Sequence, residues 1–359
     1  MSITKYYRKN FLIRRRFNTA VTDFIFRSLF VFVITTLLSC APQYSISPEI
    51  NNNEIGSDPE NRNMNTHLSA DNYVRDIVNH PAFREFGELL LPWDDNADYY
   101  DTRLTGIGSL MPYHSNVRTD VVLSAVNHLI DEVNNGKNVF YDFYTREQKQ
   151  GDPGKKNTGV FFFRGNPNAP LAIVCPGGGF SYVGSLHEGF PLALEISKKG
   201  FNAFVLRYRI GSEQRATEDL AAALSYIFRN SKVLGIETKY YSLWGGSAGA
   251  RMAGNIALNG IAHYGGDDLC QPAAVVIAYT GQTTYSGKFP PTFITVSADD
   301  GIANVSTVER RVDNLKKAGV EVEYRRFSSA GHGFGLGTGT DAEGWIDFAM
   351  RFWEEHMPG

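Results

Sequence analysis

Short apolar runs alternate with helix-like segments from residue 138 to the end of the sequence. Some runs are apolar throughout, such as Leu-Ala-Ile-Val at 171–174, which is typical of parallel strands buried on both faces. Between the runs, apolar residues recur every three or four positions, as at 216–228, which is typical of amphipathic helices. The pattern predicts an α/β fold with a mainly parallel eight-stranded sheet covered by helices on both faces. The predicted strands are 138–143, 159–164, 171–175, 203–208, 240–244, 273–279, 292–297 and 320–327.

The last helix is predicted from two features of the sequence. Residues 340–343 read Thr-Asp-Ala-Glu, which matches the capping box found at helix starts. We therefore expect the helix to begin at this box. An apolar stripe follows it, formed by Trp345, Phe348, Ala349, Phe352 and Trp353.

Residues 68–137 precede the alternating region and are predicted to form a helical N-terminal extension. Apolar residues at 121–133 fall near helical spacing, and Gly136 is a suitable stop. We assign no chemistry to the extension. Its aromatic residues are open to two interpretations, packing or platforms for sugar rings. They are Trp93, Tyr99, Tyr100 and Tyr113.

The N-terminus has the pattern of an export signal. Basic side chains end at Arg27, and the apolar run at 29–38 is shorter than the roughly 20 residues that span a bilayer. The run ends in Leu-Leu-Ser-Cys, which resembles the lipobox of bacterial lipoproteins. That resemblance implies removal of residues 1–39, a lipid on the thiol of Cys40, and attachment to a membrane of the cell envelope. An uncleaved anchor helix with an incidental cysteine is the alternative. The Asn-, Ser- and Pro-rich stretch at 40–67 predicts a flexible tether.

Charge and cysteine content narrow the range of partners. The chain has 359 residues and a net charge of −3, and the +6 carried by residues 1–39 leaves −9 for the rest. A protein with this negative net charge is expected to bind nucleic acid poorly.

Cys175 and Cys270 are expected to be free, buried thiols, and a disulfide bridge between them is the open alternative. No metal cluster is visible in the sequence, and we expect no cofactor.

The strongest chemical motif is Gly-Gly-Ser-Ala-Gly at 245–249, between a predicted strand and a helix of small residues. This is the context of the G-x-S-x-G nucleophile elbow, in which Ser247 sits on a strained turn. Glycines flank the serine two positions away on each side because strand and helix come very close there. A glycine-rich turn with an idle serine is the alternative.

A second glycine-rich segment, Cys-Pro-Gly-Gly-Gly-Phe at 175–180, follows the predicted strand at 171–175. In folds with a nucleophile elbow, the loop at this place helps to form the oxyanion hole. We expect backbone N–H donors from Gly178 or Gly179, together with Ala248 after the nucleophile. A phosphate-binding loop is the alternative, but the usual glycine spacing and the Walker lysine are absent.

The order of residues in such folds is serine, acid, histidine. His332 lies in a Gly-rich loop after the last predicted strand, where it can act as general base to Ser247. The acid should follow the strand at 292–297, and both Asp299 and Asp300 lie there.

From about residue 138 to its end, the chain resembles the acetyl esterase and lipase group of α/β-hydrolases. It is particularly similar to bacterial esterases that deacetylate xylan and related sugars. The resemblance implies the α/β-hydrolase fold and hydrolysis of short acyl esters, acetyl esters above all, on small-molecule or glycan substrates. Cys-Pro before the glycines departs from the His-Gly-Gly-Gly of hormone-sensitive-lipase relatives and favours the carbohydrate side. The matching segments are 175–180, 188–189, 204–209, 245–249, Asp300 and 332–334.

The resemblance also favours Asp300 over Asp299 as the acid. In that family the acid follows a small-residue turn after the strand and precedes an apolar pair, which matches Ile302 and Ala303 behind Asp300. Asp299 would then point aside and cap the helix that starts near Asn304. The register that makes Asp299 the acid is the alternative.

Three further interpretations stay open. The chain could be a serine peptidase of the prolyl-oligopeptidase type, although residues 41–137 are too few for a propeller. It could also be a lipid-anchored glycan-binding protein that does not catalyse. His187 and Glu188 are expected either to line the entrance near the oxyanion loop or to form a solvated or helix-capping pair.

Overall fold

The computed structural model describes residues 66–357, so the expected signal segment, Cys40 and nearly all of the expected tether lie outside the described residues. The described part contains the predicted eight-stranded sheet, in the order β1-β2-β4-β3-β5-β6-β7-β8. Only the β1–β2 and β2–β4 pairs are antiparallel. The strands are β1 Phe140–Tyr141, β2 Gly159–Phe163, β3 Pro170–Cys175, β4 Asn202–Arg207, β5 Glu237–Gly246, β6 Ala274–Ala278, β7 Thr292–Ser297 and β8 Val322–Phe327.

Helices connect the strands and cover the sheet. Every residue of β2, β4, β6 and β7 is buried, as expected for strands covered on both faces. The α-helices are α1 Val74–Val78, α2 Thr119–Asn134, α3 Arg146–Gly151, α4 Phe190–Lys198, α5 Glu213–Arg229, α6 Ser231–Leu234, α7 Ala248–Asn259, α8 Val305–Lys317 and α9 Trp345–Glu355. A π-helical turn at Ser185–Gly189 leads into α4, and 3-10 turns lie at Pro81–Phe83, Gly87–Leu90, Ala97–Tyr99, Leu104–Leu110, Pro153–Asn157 and Ala262–Tyr264.

The expected helical extension at 68–137 contains α1, α2 and four of the 3-10 turns. Helix α2 buries Val122, Ala125 and Leu129, which were among the apolar residues at helical spacing. It packs on α4, so the extension lies against the same core as the sheet. No helix within residues 66–357 is both long and apolar enough to cross a membrane.

Two sequence predictions are wrong in detail. Helix α9 does not begin at the Thr-Asp-Ala-Glu sequence, because Gly344 has a positive φ of 82° and interrupts the helix before Trp345. The Thr340 carbonyl instead accepts the Glu343 N–H, closing a separate turn.

Cys175 and Cys270 are both free thiols, but only Cys175 is buried. Cys270 is exposed because it lies in the polar loop that leads into β6.

The strand order positions the candidate site. Parallel strands place their carboxyl ends at one edge of the sheet, and ligands of α/β sheets bind at that edge. The loops after β3, β5, β7 and β8 all start there. These loops carry the residues that the sequence predicted to take part in catalysis.

Candidate active site

Ser247 occupies a sharp turn between the end of β5 and the start of α7. Its φ of 49° and ψ of −111° are strained for a residue with a side chain. The turn leaves no room at Gly249, where a Cβ atom would lie 1.8 Å from the Cys175 carbonyl oxygen. The Ser247 N–H donates to the Ala278 carbonyl at 3.0 Å and ties the turn to β6. The serine thus has the conformation expected of a nucleophile elbow.

Ser247, His332 and Asp300 form one hydrogen-bonded line. His332 Nε2 lies 2.9 Å from Ser247 Oγ, and His332 Nδ1 lies 2.8 Å from Asp300 Oδ2. Asp300 Oδ1 also accepts the N–H groups of Ile302 and Ala303 at 2.8 and 2.7 Å, so the carboxylate is held on both sides. With Nδ1–H donating to Asp300, Nε2 is left free to accept a proton from the serine.

Asp299 has a different role from the one expected for it. Its carboxylate accepts the Ser297 hydroxyl at 2.5 Å and the Gly331 N–H at 2.8 Å. The Ser297 hydroxyl, followed by that N–H, lowers the pKa of Asp299. The expectation that Asp299 caps the next helix is wrong, because Asn304 itself caps α8 through the Thr307 N–H. Asp299 therefore ties the loop after β7 to the loop that carries His332.

The oxyanion loop, residues 176–180, follows β3 and adopts a conformation rich in positive φ. Gly178 has φ 131°, Gly179 has φ 63° and Phe180 has φ 57°. Among residues 66–357, no acceptor receives the backbone N–H of Gly178, Gly179 or Ala248. Ala248 is the first residue of α7, so its N–H also lies at the positive end of the helix dipole. All three predicted donors are thus available to a negatively charged oxygen.

His187 and Glu188 are both buried, so neither an entrance position nor a solvated or helix-capping pair is right. Their exposed fractions are 4% and 1%. They lie in the π-helical turn before α4, which is packed beneath the oxyanion loop. Burial alone would raise the pKa of Glu188, but the adjacent His114 and the Gly177 N–H that it accepts lower it to about 2. Burial lowers the pKa of His187 to about 4.

A second set of residues, not predicted to belong to the site, comes from the N-terminal extension. We call residues 113–116 the bracing segment. The Ser115 N–H donates to the His332 carbonyl at 2.9 Å, and Asn116 Nδ2 donates to the Ala330 carbonyl at 2.9 Å. His114 Nε2 lies 3.0 Å from Glu188 Oε1. The segment thus contacts both the histidine loop and the layer below the oxyanion loop.

The aromatic residues of the extension differ in their exposure. Trp93 packs on Tyr182 with ring centroids 4.9 Å apart, and its indole N–H donates to the Leu110 carbonyl at 2.7 Å. Tyr113 differs because 42% of it is exposed, with its ring stacked on Tyr182. A Cβ atom on Gly179 would lie 3.0 Å from the Tyr113 ring, so this ring borders the oxyanion loop.

The segment 188–189 matched the resembling family and Tyr113 was open as a sugar platform, but no sequence signal placed either of them beside His114. The contact between His114 and Glu188 spans 74 positions, and His114 lies outside any short motif. Within the described residues, no group of three or more His, Cys, Asp or Glu side chains is arranged to hold a metal ion.

Comparison with known proteins gives partial matches. A family model described as BD-FAE matches residues 164–270. An endo-1,4-beta-xylanase B of Butyrivibrio fibrisolvens is 33% identical over 93 residues, which are 24% of this chain and 14% of that protein. An acetylxylan esterase of Xylanibacter ruminicola is 24% identical over 218 residues, which are 52% of this chain and 45% of that protein. The chain therefore spans less than half the length of either curated relative.

A solved structure matches more of the chain. The acetyl ester-xyloside bifunctional hydrolase of Caldicellulosiruptor lactoaceticus is similar with a TM-score of 0.53 and 21% identity, covering 60% of this chain and 95% of that one. This likeness and the eight-stranded, mainly parallel sheet confirm the expected fold, that of the α/β-hydrolases.

Proposed function

We propose that the protein is a serine esterase that hydrolyses short-chain carboxylic esters, acetyl esters above all, through an acyl-enzyme intermediate. The observation that carries the proposal is the line of contacts from Ser247 Oγ to His332 Nε2 at 2.9 Å and from His332 Nδ1 to Asp300 at 2.8 Å. This line lies beside N–H groups that have no acceptor among the described residues. Nucleophile, base, orienting acid and oxyanion donors are the four parts that acyl transfer needs.

The first half-reaction transfers the acyl group to the enzyme. Ser247 Oγ attacks the acyl carbon while its proton passes to His332 Nε2, and Asp300 stabilises the resulting imidazolium. The carbonyl oxygen becomes an oxyanion and accepts N–H groups of Ala248 and the oxyanion loop. The ester C–O bond then breaks, and the alcohol leaves with the proton from Nε2.

The second half-reaction releases the acid. A water molecule gives a proton to His332 Nε2 and attacks the acyl carbon, which forms a second tetrahedral intermediate. The bond from carbon to Ser247 Oγ breaks, Oγ takes back the proton, and the carboxylic acid leaves. These residues complete the cycle without a cofactor.

Sugars and polysaccharides such as acetylated xylan are the proposed carriers of the acetyl group. The resemblance to carbohydrate esterases, the match to the BD-FAE model and the likeness to an acetylxylan esterase support this class. The exposed Tyr113 ring beside the oxyanion loop also supports it, because sugar rings bind well on aromatic faces.

The test compares the wild type with Ser247→Ala, and with Ser124→Ala as a control at an exposed serine of α2. We expect Ser247→Ala to lower kcat for p-nitrophenyl acetate by about 10⁴-fold or more, as when a triad serine is removed. A fluorophosphonate should label the wild type and Ser124→Ala, but not Ser247→Ala. Labelling that survives in Ser247→Ala would overturn the assignment of the nucleophile.

A substrate panel tests the class of substrate. Rates should fall steeply from p-nitrophenyl acetate to p-nitrophenyl octanoate, and acetylated xylan should release acetate. Aminoacyl p-nitroanilides should remain uncleaved. An optimum at eight carbons or longer would make the protein a lipase, and efficient anilide cleavage would favour the peptidase alternative.

We also propose that the protein is exported and anchored to the cell envelope by a lipid on Cys40. The proposal rests on the sequence at 29–40, which has a short apolar run ending in Leu-Leu-Ser-Cys. Mass spectrometry of the mature N-terminus tests it. The expected peptide begins at a lipidated Cys40, and an unmodified cysteine or another start would refute the anchor.

A further inference from the structure

A single buried carboxylate, that of Glu188, contacts both halves of the candidate site. Its Oε2 accepts the N–H of Gly177 in the oxyanion loop. The same oxygen lies 2.7 Å from the position that a Cβ atom on Gly246 would take, in the turn before Ser247. Glu188 forms no hydrogen bond to Ser247 or His332, so it touches the frame of the site and not its reacting atoms.

His114 of the N-terminal extension holds the other oxygen of this carboxylate. Its Nε2 lies 3.0 Å from Glu188 Oε1, and both side chains are at most 2% exposed. Its Nδ1 lies 2.8 Å from the Tyr182 hydroxyl, which accepts the Tyr113 N–H at 2.9 Å. His114 Nε2 is in close polar contact with Glu188 Oε1, although the two are not aligned as a hydrogen bond, and His114 Nδ1 accepts the hydroxyl proton of Tyr182.

The arrangement leaves the carboxylate little freedom to move. An ionised carboxylate in the protein interior costs several kcal/mol unless hydrogen bonds compensate it. One oxygen of Glu188 accepts the Gly177 N–H of the oxyanion loop, and the other lies 3.0 Å from His114 Nε2 of the extension. Moving the Gly177 peptide would remove this hydrogen-bond donor from a buried charge. The conformation of the loop is therefore coupled to His114.

We propose that His114 and Glu188 are positioning residues for the oxyanion hole. Glu188 holds the peptide at Gly177 so that the following N–H groups stay directed at the substrate oxygen, and His114 holds Glu188. The proposal rests on the esterase function proposed above. It makes the N-terminal extension part of the catalytic apparatus, although the nucleophile, base and acid all lie outside it.

The first variant is Glu188→Gln, which keeps the size of the side chain. A glutamine carries one oxygen and one NH2 group, so it cannot present a carboxylate oxygen to both the Gly177 N–H and His114 Nε2. Removing one oxyanion donor lowers kcat by about 10²–10³, and misalignment of the loop should cost somewhat less. We expect kcat for p-nitrophenyl acetate to fall by roughly 10- to 100-fold, with KM changed less than about threefold.

A pair of variants at His114 isolates its polar contact with Glu188. His114→Gln keeps an N–H group that can reach Glu188, whereas His114→Phe keeps a ring but donates nothing. We expect His114→Gln to retain several-fold more of the wild-type kcat than His114→Phe. His128→Phe is the matched control, because His128 lies in α2 of the same extension and stacks on Phe163 away from the loop.

Two measurements separate positioning from a loss of folded protein. Titration with a fluorophosphonate counts active sites, and kcat is expressed per titrated site. Trifluoroacetone provides the second measurement, because Ser247 Oγ adds to its carbonyl carbon, the serine proton passes to His332, and the hemiketal oxygen becomes an oxyanion. Its Ki should rise by about the factor by which kcat falls.

Values of kcat per titrated site and Ki within about twofold of wild type in Glu188→Gln and His114→Phe would overturn the proposal. If Glu188→Gln does not fold, the two His114 variants decide the question by the same criteria. The failure of the esterase function itself would appear differently, as wild-type activity that Ser247→Ala does not reduce.

Discussion

The nucleophile turn at 245–249 and the bracing segment at 113–116 border the same candidate site but are built in different ways. The turn is shaped by its own residues, since strand β5 and helix α7 enclose it and Gly249 allows their close approach. The bracing segment belongs to no strand or helix. Long-range hydrogen bonds hold it, from Ser115 to His332, from Asn116 to Ala330 and from Tyr113 to Tyr182.

The comparison separates the reacting groups from their alignment. The groups proposed to react lie on loops at the carboxyl ends of β5, β7 and β8, where parallel strands bring them together. The groups proposed to align the oxyanion loop come from a helical extension and from the turn before α4. Variants on the two sides should therefore affect different measurable quantities.

The largest effect is expected on the side of the reacting groups, at Asp300. Asp300→Asn should lower kcat by about 10⁴, because the histidine then loses the partner that sets its tautomer. Asp299→Asn is the matched control and should change kcat by less than about tenfold, since Asp299 contacts Ser297 and Gly331 but not His332. Steady-state kinetics with p-nitrophenyl acetate checks both. If Asp299→Asn lowered kcat more than Asp300→Asn, the acid would be Asp299 instead.

The next effect concerns the oxyanion loop, where the two regions meet. A Cβ atom on Gly178 would lie 2.1 Å from the Tyr182 carbonyl oxygen at a φ of 131°, so Gly178→Ala forces the loop to move. We expect kcat to fall by about 100-fold or more, as it does when an oxyanion donor is lost. In Gly179→Ala the new Cβ atom would contact only the exposed Tyr113 ring, at 3.0 Å, so kcat should fall by about tenfold at most. Equal kcat values per titrated site in the two variants would refute this ranking.

A smaller effect is expected on stability, through the buried His187 beneath the loop. Burial lowers its pKa to about 4 in the folded protein, against about 6.5 in the unfolded chain. Between these values the unfolded chain binds a proton that the folded protein does not, so the free energy of unfolding falls as pH drops from about 6.5 to about 4. The contribution is at most about 3 kcal/mol over this range.

Urea denaturation of the wild type and His187→Gln at several pH values measures this contribution. The variant should lose part of the slope between about pH 6.5 and pH 4. Glu188 contributes little to this slope, because its lowered pKa of about 2 affects the free energy of unfolding only below about pH 4.5. Identical slopes would show that His187 takes up a proton without a cost in the folded state.

The smallest effect is expected at Tyr113, on the bracing side. Tyr113→Ala should lower kcat/KM for acetylated xylo-oligosaccharides by roughly three- to tenfold, as loss of an aromatic contact of about 0.5–1.5 kcal/mol implies. The kcat/KM of Tyr113→Ala for ethyl acetate, which has no sugar ring, should differ from the wild-type value by less than about twofold. Tyr100→Ala serves as control within the same extension. Equal losses on both substrates would argue against a sugar platform.

Much of the architecture could be predicted because it depends on local constraints. Uninterrupted apolar runs identified strands such as β3 and β6, because parallel strands buried on both faces are apolar on both sides. The glycines around Ser247 marked its turn, because no other residue fits where β5 meets α7. The capping box at 340–343 misled the prediction, because Gly344 after it takes a positive φ that the local pattern did not reveal.

The sequence by itself determined which elements form and which residues are proposed to react, because periodicity and glycine spacing record contacts between residues close in the chain. Only the tertiary structure decided what lies beneath the site. His114 and Glu188 are 74 positions apart, and nothing in the sequence predicted that they would be buried together. Their burial and pairing depend on how the extension packs against the sheet, and no short pattern encodes a contact made across that distance.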